Sequence, residues 1–225
     1  NVHLTIHTSI DLFLFLLEQL PELMNVLVNH EFLSIDGIGS HLPSADEDED
    51  FTRTQIARYH KVIEDLGGPP RINKQHLLNS AGLLGYDRGA CNLARPGLML
   101  YGVSPFPDAQ KDLANVMTLK SRVTLVRTLP AGHGVSYGRQ FITTKPTRVA
   151  TVGIGYGDGY PRHVSGQGAD VWLNGTRCPI LGRVTMDQIM IDVSQAGSVQ
   201  EGDEVEMFGE HIPVDEVARK AGTIA

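Results

Sequence analysis

Apolar and polar positions change their rhythm part-way along this chain. Up to about Gly102, helical segments alternate with short apolar runs, the succession expected of parallel βα units in a TIM barrel or doubly wound sheet. The run Leu12 to Leu17, flanked by Asp11 and Glu18, reads as an amphipathic or buried helix. Thr8 or Ser9 caps it, it runs toward Leu20, and Pro21 interrupts it. Phe32 to Ser40 reads as a short buried strand ending in glycines. The acidic loop Asp46 to Asp50 leads into a helix from Phe51 to Leu66, stopped by Gly67-Gly68 and Pro69-Pro70. His76 to Ser80 and Ala94 to Tyr101 read as further short strands.

Beyond Pro105 the texture becomes that of β structure. Met117 to Leu129, Thr147 to Ile154, Ala169 to Leu181, Gln188 to Val193 and Asp203 to Phe208 all read as strands. Asn174-Gly175, between Val171-Trp172-Leu173 and Arg177 to Ile180, is a strong two-residue hairpin signal. Ile212 to Ala221 adds a short helix. A domain boundary is expected near Asp108, with residues 1–108 of α/β type and residues 109–225 an antiparallel β domain.

Composition narrows the function classes. The 225 residues carry a formal net charge of −7 with lysine and arginine scattered, which excludes a nucleic-acid partner that needs a basic stripe. Cys91 and Cys178 share no CxxC spacing, so neither a disulfide scaffold nor a zinc site is expected, and a reducing cytoplasm is the natural compartment. The apolar run near the start is too short to span a bilayer and lacks the basic flank of a signal peptide, so no membrane partner is expected. Asp46 to Asp50 resembles the opening of a calcium loop, but Phe51 and Ala57 stand where glycine and glutamate are required, so no metal site is expected. Asn174-Gly175-Thr176 matches a glycosylation sequon but reads as a hairpin turn.

Two stretches carry candidate chemistry. Gly153 to Tyr160 is the densest glycine cluster; it does not fit GxGxxG, but it lets the backbone turn sharply and leaves Tyr156 on a thin support. Arg95-Pro96-Gly97-Leu98 can present a fixed cation beside backbone N–H groups, and Asn79-Ser80 ends the preceding strand. Taken singly, each is a turn or a surface ion pair. At neighbouring strand ends of a barrel they would converge on one mouth and offer a phosphate site.

Ala94-Arg95-Pro96-Gly97-Leu98-Met99-Leu100-Tyr101-Gly102 resembles a signature of the alanine racemase family, and His76 to Ala81 resembles its phosphate-binding strand end. Val135 to Arg139, Gly155 to Gly159 and Gly182 to Gln188 follow in the family's order and approximate spacing, and Ser40-His41 also matches. The resemblance implies a partial TIM barrel followed by a C-terminal antiparallel β-barrel-like domain. It also implies pyridoxal 5′-phosphate as cofactor, alanine as substrate and a homodimer with shared active sites. In that reading Arg95 meets the ring nitrogen, and Ser80 with Asn79 and the N–H groups of Gly97 and Leu98 holds the phosphate. His41 contacts the ring region. Tyr156 is the catalytic tyrosine and reaches the partner's cofactor, Met186 binds the substrate carboxylate, and Arg183 and Asp187 line the entrance. The family role is to supply D-alanine for peptidoglycan.

The chain also departs from the family pattern. The six lysines, Lys61, Lys74, Lys111, Lys120, Lys145 and Lys220, all lack the V-K-A-N-A-Y-G context of the family's Schiff-base lysine. Asn1 to Thr8 resembles a V-H-L-K-[VI]-D-T strand, but with Thr5 for lysine and His7 for aspartate, and Leu12 occupies an arginine position. Only about half a barrel is expected before the β domain, with its ends incomplete, and the chain alone is expected to fold poorly and be inactive. Two alternatives stay open: a decayed relative serving as a binding module, and a racemase for another amino acid.

Overall fold

The computed structural model describes residues 1–6, 17–68 and 72–225. The expected helix from Thr8 or Ser9 falls largely on residues outside this set, as do His7 and Leu12. The chain divides into two compact units, Asn1–Ala114 and Asn115–Ala225.

The first unit holds β1 (Val2–Thr5), α1 (Leu20–Val28), β2 (Ile35–Gly39), α2 (Glu49–Asp65), β3 (Lys74–His76) and α3 (Ser80–Gly85). The strands form a parallel sheet in the order β1-β2-β3, the arrangement expected of part of a TIM barrel. Pro21 lies in the first turn of α1, where its missing N–H costs nothing. The acidic loop turns out to start α2: the Asp48 side chain accepts from the Phe51 N–H at 3.0 Å, and Glu49 and Asp50 occupy the positive end of the helix. Thr52, Gln55, Tyr59 and Ile63 form its inward stripe, and the Tyr59 hydroxyl donates to the Ile38 carbonyl at 2.8 Å. Leu4, Ile6, Ile38, Tyr59, Ile63 and Leu77 centre the core.

Three of the expected strands differ in the structure. The Phe32 to Ser40 strand begins only at Ile35, because residues 30–33 turn (Leu33 N–H to His30 carbonyl, 3.4 Å) and leave Phe32 exposed. Ala94 to Tyr101 is not a strand. The Arg95 N–H reaches the Leu78 carbonyl at 2.8 Å, but Pro96 has no N–H and the Gly97 and Met99 amides bond to the Ser80 hydroxyl. The segment then closes as a 3₁₀ turn over Leu98–Tyr101. The strand expected from His76 to Ser80 likewise ends at His76, and Ser80 opens α3.

The second unit is a closed antiparallel barrel. Its strands are β4 (Leu119–Leu129), β7 (Thr147–Val152), β8 (Asp170–Leu173), β9 (Thr176–Leu181), β10 (Ile189–Asp192) and β11 (Glu204–Phe208), in the order β10-β7-β4-β11-β8-β9. The short pair β5 (Gly134–Val135) and β6 (Phe141–Ile142), which the apolar pattern does not reveal, lies outside the barrel sheet. Asn174 and Gly175 both have positive φ, 48° and 82°, as the tight β8–β9 hairpin requires. Helix α4 (Val214–Ala221) follows. Val171, Leu173, Ile189, Ile191, Val205 and Met207 fill the interior.

Ile191 is fully buried, and its deletion leaves a cavity that the closed sheet cannot collapse around. Ile191→Ala is expected to cost about 2–5 kcal/mol, read as a lower urea midpoint in the fluorescence of Trp172, the chain's one tryptophan. An unchanged midpoint would contradict this core.

Candidate active site

In the first unit the candidate residues gather at the carboxyl ends of β2 and β3. The Arg95 guanidinium bridges them: Nη2 donates to the Ser40 carbonyl at 2.6 Å and Nη1 donates to the His76 carbonyl at 3.0 Å. Nη1 also contacts His76 Nδ1. Arginine can only donate, so the lone pair of His76 Nδ1 faces it. Burial and then the Arg95 charge, with His3 adding to them, push His76 down to about 4, so the ring is neutral at physiological pH. His41 is shifted downward for the same first two reasons.

Ser80 sits at the start of α3, and its Oγ accepts from the N–H groups of Gly97 (3.0 Å) and Met99 (3.2 Å). Its own O–H is therefore still available as a donor. The Gly97 N–H, expected to face an anion, is turned to Ser80 instead. Among the described residues the Leu98 N–H has no acceptor. A Cβ added at Gly97 would meet nothing within 4 Å, so this corner opens onto free space. Asn79 is occupied internally: Oδ1 caps α3 by accepting from the Gly82 N–H at 2.8 Å, and Nδ2 donates to the Leu42 carbonyl at 2.8 Å. It fixes the neighbourhood of Ser80 rather than pointing outward.

In the second unit the tyrosine loop is laced to the segment after β9. The Tyr156 N–H donates to the Thr185 carbonyl at 2.9 Å and the Gly157 N–H to the Met186 carbonyl at 2.7 Å. Asp158 accepts from the Gly155 N–H at 2.9 Å. A Cβ at Gly155 would run into the Thr185 carbonyl and come within 2.5 Å of the Asp187 nitrogen; this close approach is why the motif needs glycine. The loop holds Tyr156 out, 46% exposed, beside Met186, 62% exposed, with the Arg162 guanidinium 5.8 Å from the phenol ring centre. The Arg183 carbonyl accepts from Ser136 Oγ at 2.7 Å, and its guanidinium lies against Gly138. Asp187 is exposed, and together with Ser136, Tyr137 and Thr185 it lines a hollow of about 390 Å³. The structure thus brings Arg95, Ser80, Gly97 and Leu98 together in one unit, and Tyr156, Met186 and Asp187 in the other. His76, quoted from sequence only as part of a strand, and Arg162 were missed as candidates.

Comparison with known proteins first fixes the class. An alanine racemase structure from D-cycloserine-producing Streptomyces lavendulae matches with a TM-score of 0.89 at 32% identity, covering 99% of this chain and 61% of that one. The biosynthetic alanine racemase of Pseudomonas aeruginosa gives 0.88 at 32% identity, covering 100% and 62%. A parallel-stranded unit followed by a closed antiparallel barrel is therefore the architecture of a racemase. Family models for the alanine racemase N-terminal domain (residues 1–105) and C-terminal domain (residues 116–225) both match. The chain belongs to the alanine racemase family. The alanine racemase of Coxiella burnetii (strain CbuK_Q154) is 39% identical over 235 residues, and the chain spans 63% of its length.

The depressed His76 fixes a sign for pH dependence. The unfolded chain protonates this histidine near 6.5 and the folded chain only near 4, so stability falls as pH drops through that window. Between pH 7.5 and 5 the loss is expected to be about 2 kcal/mol. Comparing the unfolding of the wild type with that of His76→Asn across this range checks it: the difference between them should shrink in acid. A pH-independent difference would contradict the assignment.

Proposed function

We propose that this chain forms part of a pyridoxal-phosphate-dependent alanine racemase that interconverts L- and D-alanine, supplying D-alanine for peptidoglycan in the cytoplasm. The observation that carries the reading is the donor-only Arg95, clamped beside the open corner of Ser80, Gly97 and Leu98. That set fits the cofactor: a cation for a ring nitrogen, and a hydroxyl and an amide for a phosphate, with no side chain at Gly97 to fill the space. When bound, pyridoxal phosphate supplies an electron sink for the charge left when the α-proton departs.

The chain's own residues do the rest. Arg95 cannot accept a proton, so the ring nitrogen beside it stays an unprotonated acceptor; this moderates the sink and restrains side reactions. Ser80 O–H and Leu98 N–H hold the phosphate, Gly97 leaves room for it, and Asn79 keeps Ser80 in place. His41, its pKa lowered by burial and by the Arg95 charge, contacts the ring region. Tyr156 moves the proton on one face of the α-carbon, acting in the partner protomer's site of a homodimer. The Met186 N–H holds the substrate carboxylate, while Arg183 and Asp187 line the approach. Racemisation needs a second acid/base group on the opposite face, and the six lysines here all lack the family's motif. These 225 residues alone are accordingly proposed to be inactive, with residues 1–108 contributing the cofactor-binding barrel portion.

The test is a chimera that joins this chain to the lysine-bearing N-terminal segment of a relative. With cofactor added, D-alanine should form from L-alanine, and Tyr156→Phe should lower kcat by at least 100-fold. A chimera that holds the cofactor, seen by its bound absorption band, yet racemises nothing would refute the reading.

A further inference from the structure

Behind Arg95 a row of polar groups runs from the carboxyl ends of the strands toward their amino ends. His76 Nε2 lies 2.8 Å from His3 Nδ1, and the two rings sit 5.0 Å apart across β2. His3 Nε2 lies 3.6 Å from Asp36 Oδ2. Asp36 also accepts from Lys74 Nζ at 2.8 Å and Asn73 Nδ2 at 2.9 Å, and these two bonds first, with His3 adding to them, hold its carboxyl at about 2.

The strand between the two imidazoles has room for them only because of its glycines. A Cβ at Gly37 would come within 3.0 Å of His3 Cε1, and one at Gly39 would run into the His76 ring. The sequence Asp36-Gly37-Ile38-Gly39 thus puts a carboxylate at one end and clears a track for two rings, while Ile38 faces the core.

Proton counting gives the track one direction. Arg95 must donate, so His76 Nδ1 accepts. A neutral His76 then carries its proton on Nε2 and donates to His3 Nδ1, which leaves His3 Nε2–H to donate toward the Asp36 carboxylate. Each bond polarises the next, so an anion at the far end makes Nδ1 a better acceptor, as a carboxylate behind a histidine does elsewhere. His76 is buried, and without His3 its Nε2–H would lose its protein acceptor.

We propose that Asp36 and His3 are positioning residues for Arg95: through His76 they fix the orientation in which the guanidinium meets the ligand. The consequence for the cofactor rests on the reading under Proposed function. A guanidinium held in one orientation presents a fixed N–H to the ring nitrogen, which keeps that nitrogen an unprotonated acceptor.

The experiment uses the chain labelled with ¹⁵N-histidine and two-bond proton–nitrogen correlation spectra, together with binding of 4′-deoxypyridoxine 5′-phosphate, which has the ring nitrogen and phosphate but no aldehyde. In the wild type His76 should be a single Nε2–H tautomer, still neutral at pH 5.5. Asp36→Asn and His3→Phe should move the His76 Nδ1 resonance toward that of a free acceptor nitrogen and weaken the analogue about tenfold, and Asp36→Glu should restore both. Lys74→Met, which removes the lysine paired with Asp36, should leave the tautomer intact. An Nδ1–H or doubly protonated His76 in the wild type overturns the proposal even if a variant fails to fold. So does an unchanged His76 Nδ1 resonance in both folded variants, or equal analogue affinity in the wild type and Asp36→Asn. A wild type with the expected tautomer but no analogue binding supports the Asp36–His3–His76 track and overturns the cofactor reading instead.

Discussion

A guanidinium clamped by two strand-end carbonyls and a neutral imidazole is the constraint on which the first unit turns. Arg95 comes from an irregular segment, yet it spans the ends of β2 and β3 because Ser40 and His76 offer carbonyls to it. Burying a cation is costly unless its donors are used, and here the backbone itself uses them. The clamp in turn dictates that His76 be neutral, that Gly39 have no side chain, and that Ser80 and Gly97 meet one strand end away. Three parallel strands thereby become a surface with a fixed donor and an open corner beside it.

The second unit solves a different problem with a similar device. A tyrosine has to stand clear of a closed barrel without its loop being loose. Gly155 and Gly157 let the loop approach the backbone of residues 185–187 closely enough for two main-chain hydrogen bonds. The rigidity comes from backbone contact, so the phenol can remain exposed. Glycine here works by absence, as it does at Gly37 and Gly39.

What could be read from sequence follows from which interactions are local. The barrel strands were legible because alternation along a strand reports its two faces, and Asn174-Gly175 because few residues tolerate positive φ in a hairpin. Ala94 to Tyr101 has the apolar content of a strand, but the bonds that end it come from a serine hydroxyl far off in sequence. The motif resemblance found Arg95, Ser80 and Tyr156. It passed over His3 and His76, whose partnership exists only once β1 and β3 are placed either side of β2; glycines at alternate positions of one strand were the available cue.

The account stands or falls on the protonation of the nitrogen that faces Arg95. The direct measurement is the ¹⁵N chemical shift of the ring nitrogen in labelled 4′-deoxypyridoxine 5′-phosphate bound to the protein, followed across pH. A neutral, pyridine-type nitrogen throughout the range in which the free ligand becomes protonated is the predicted result. A pyridinium signal in the bound state would mean that a carboxylate or other acceptor, and not the Arg95 guanidinium, meets the ring, and would contradict the account.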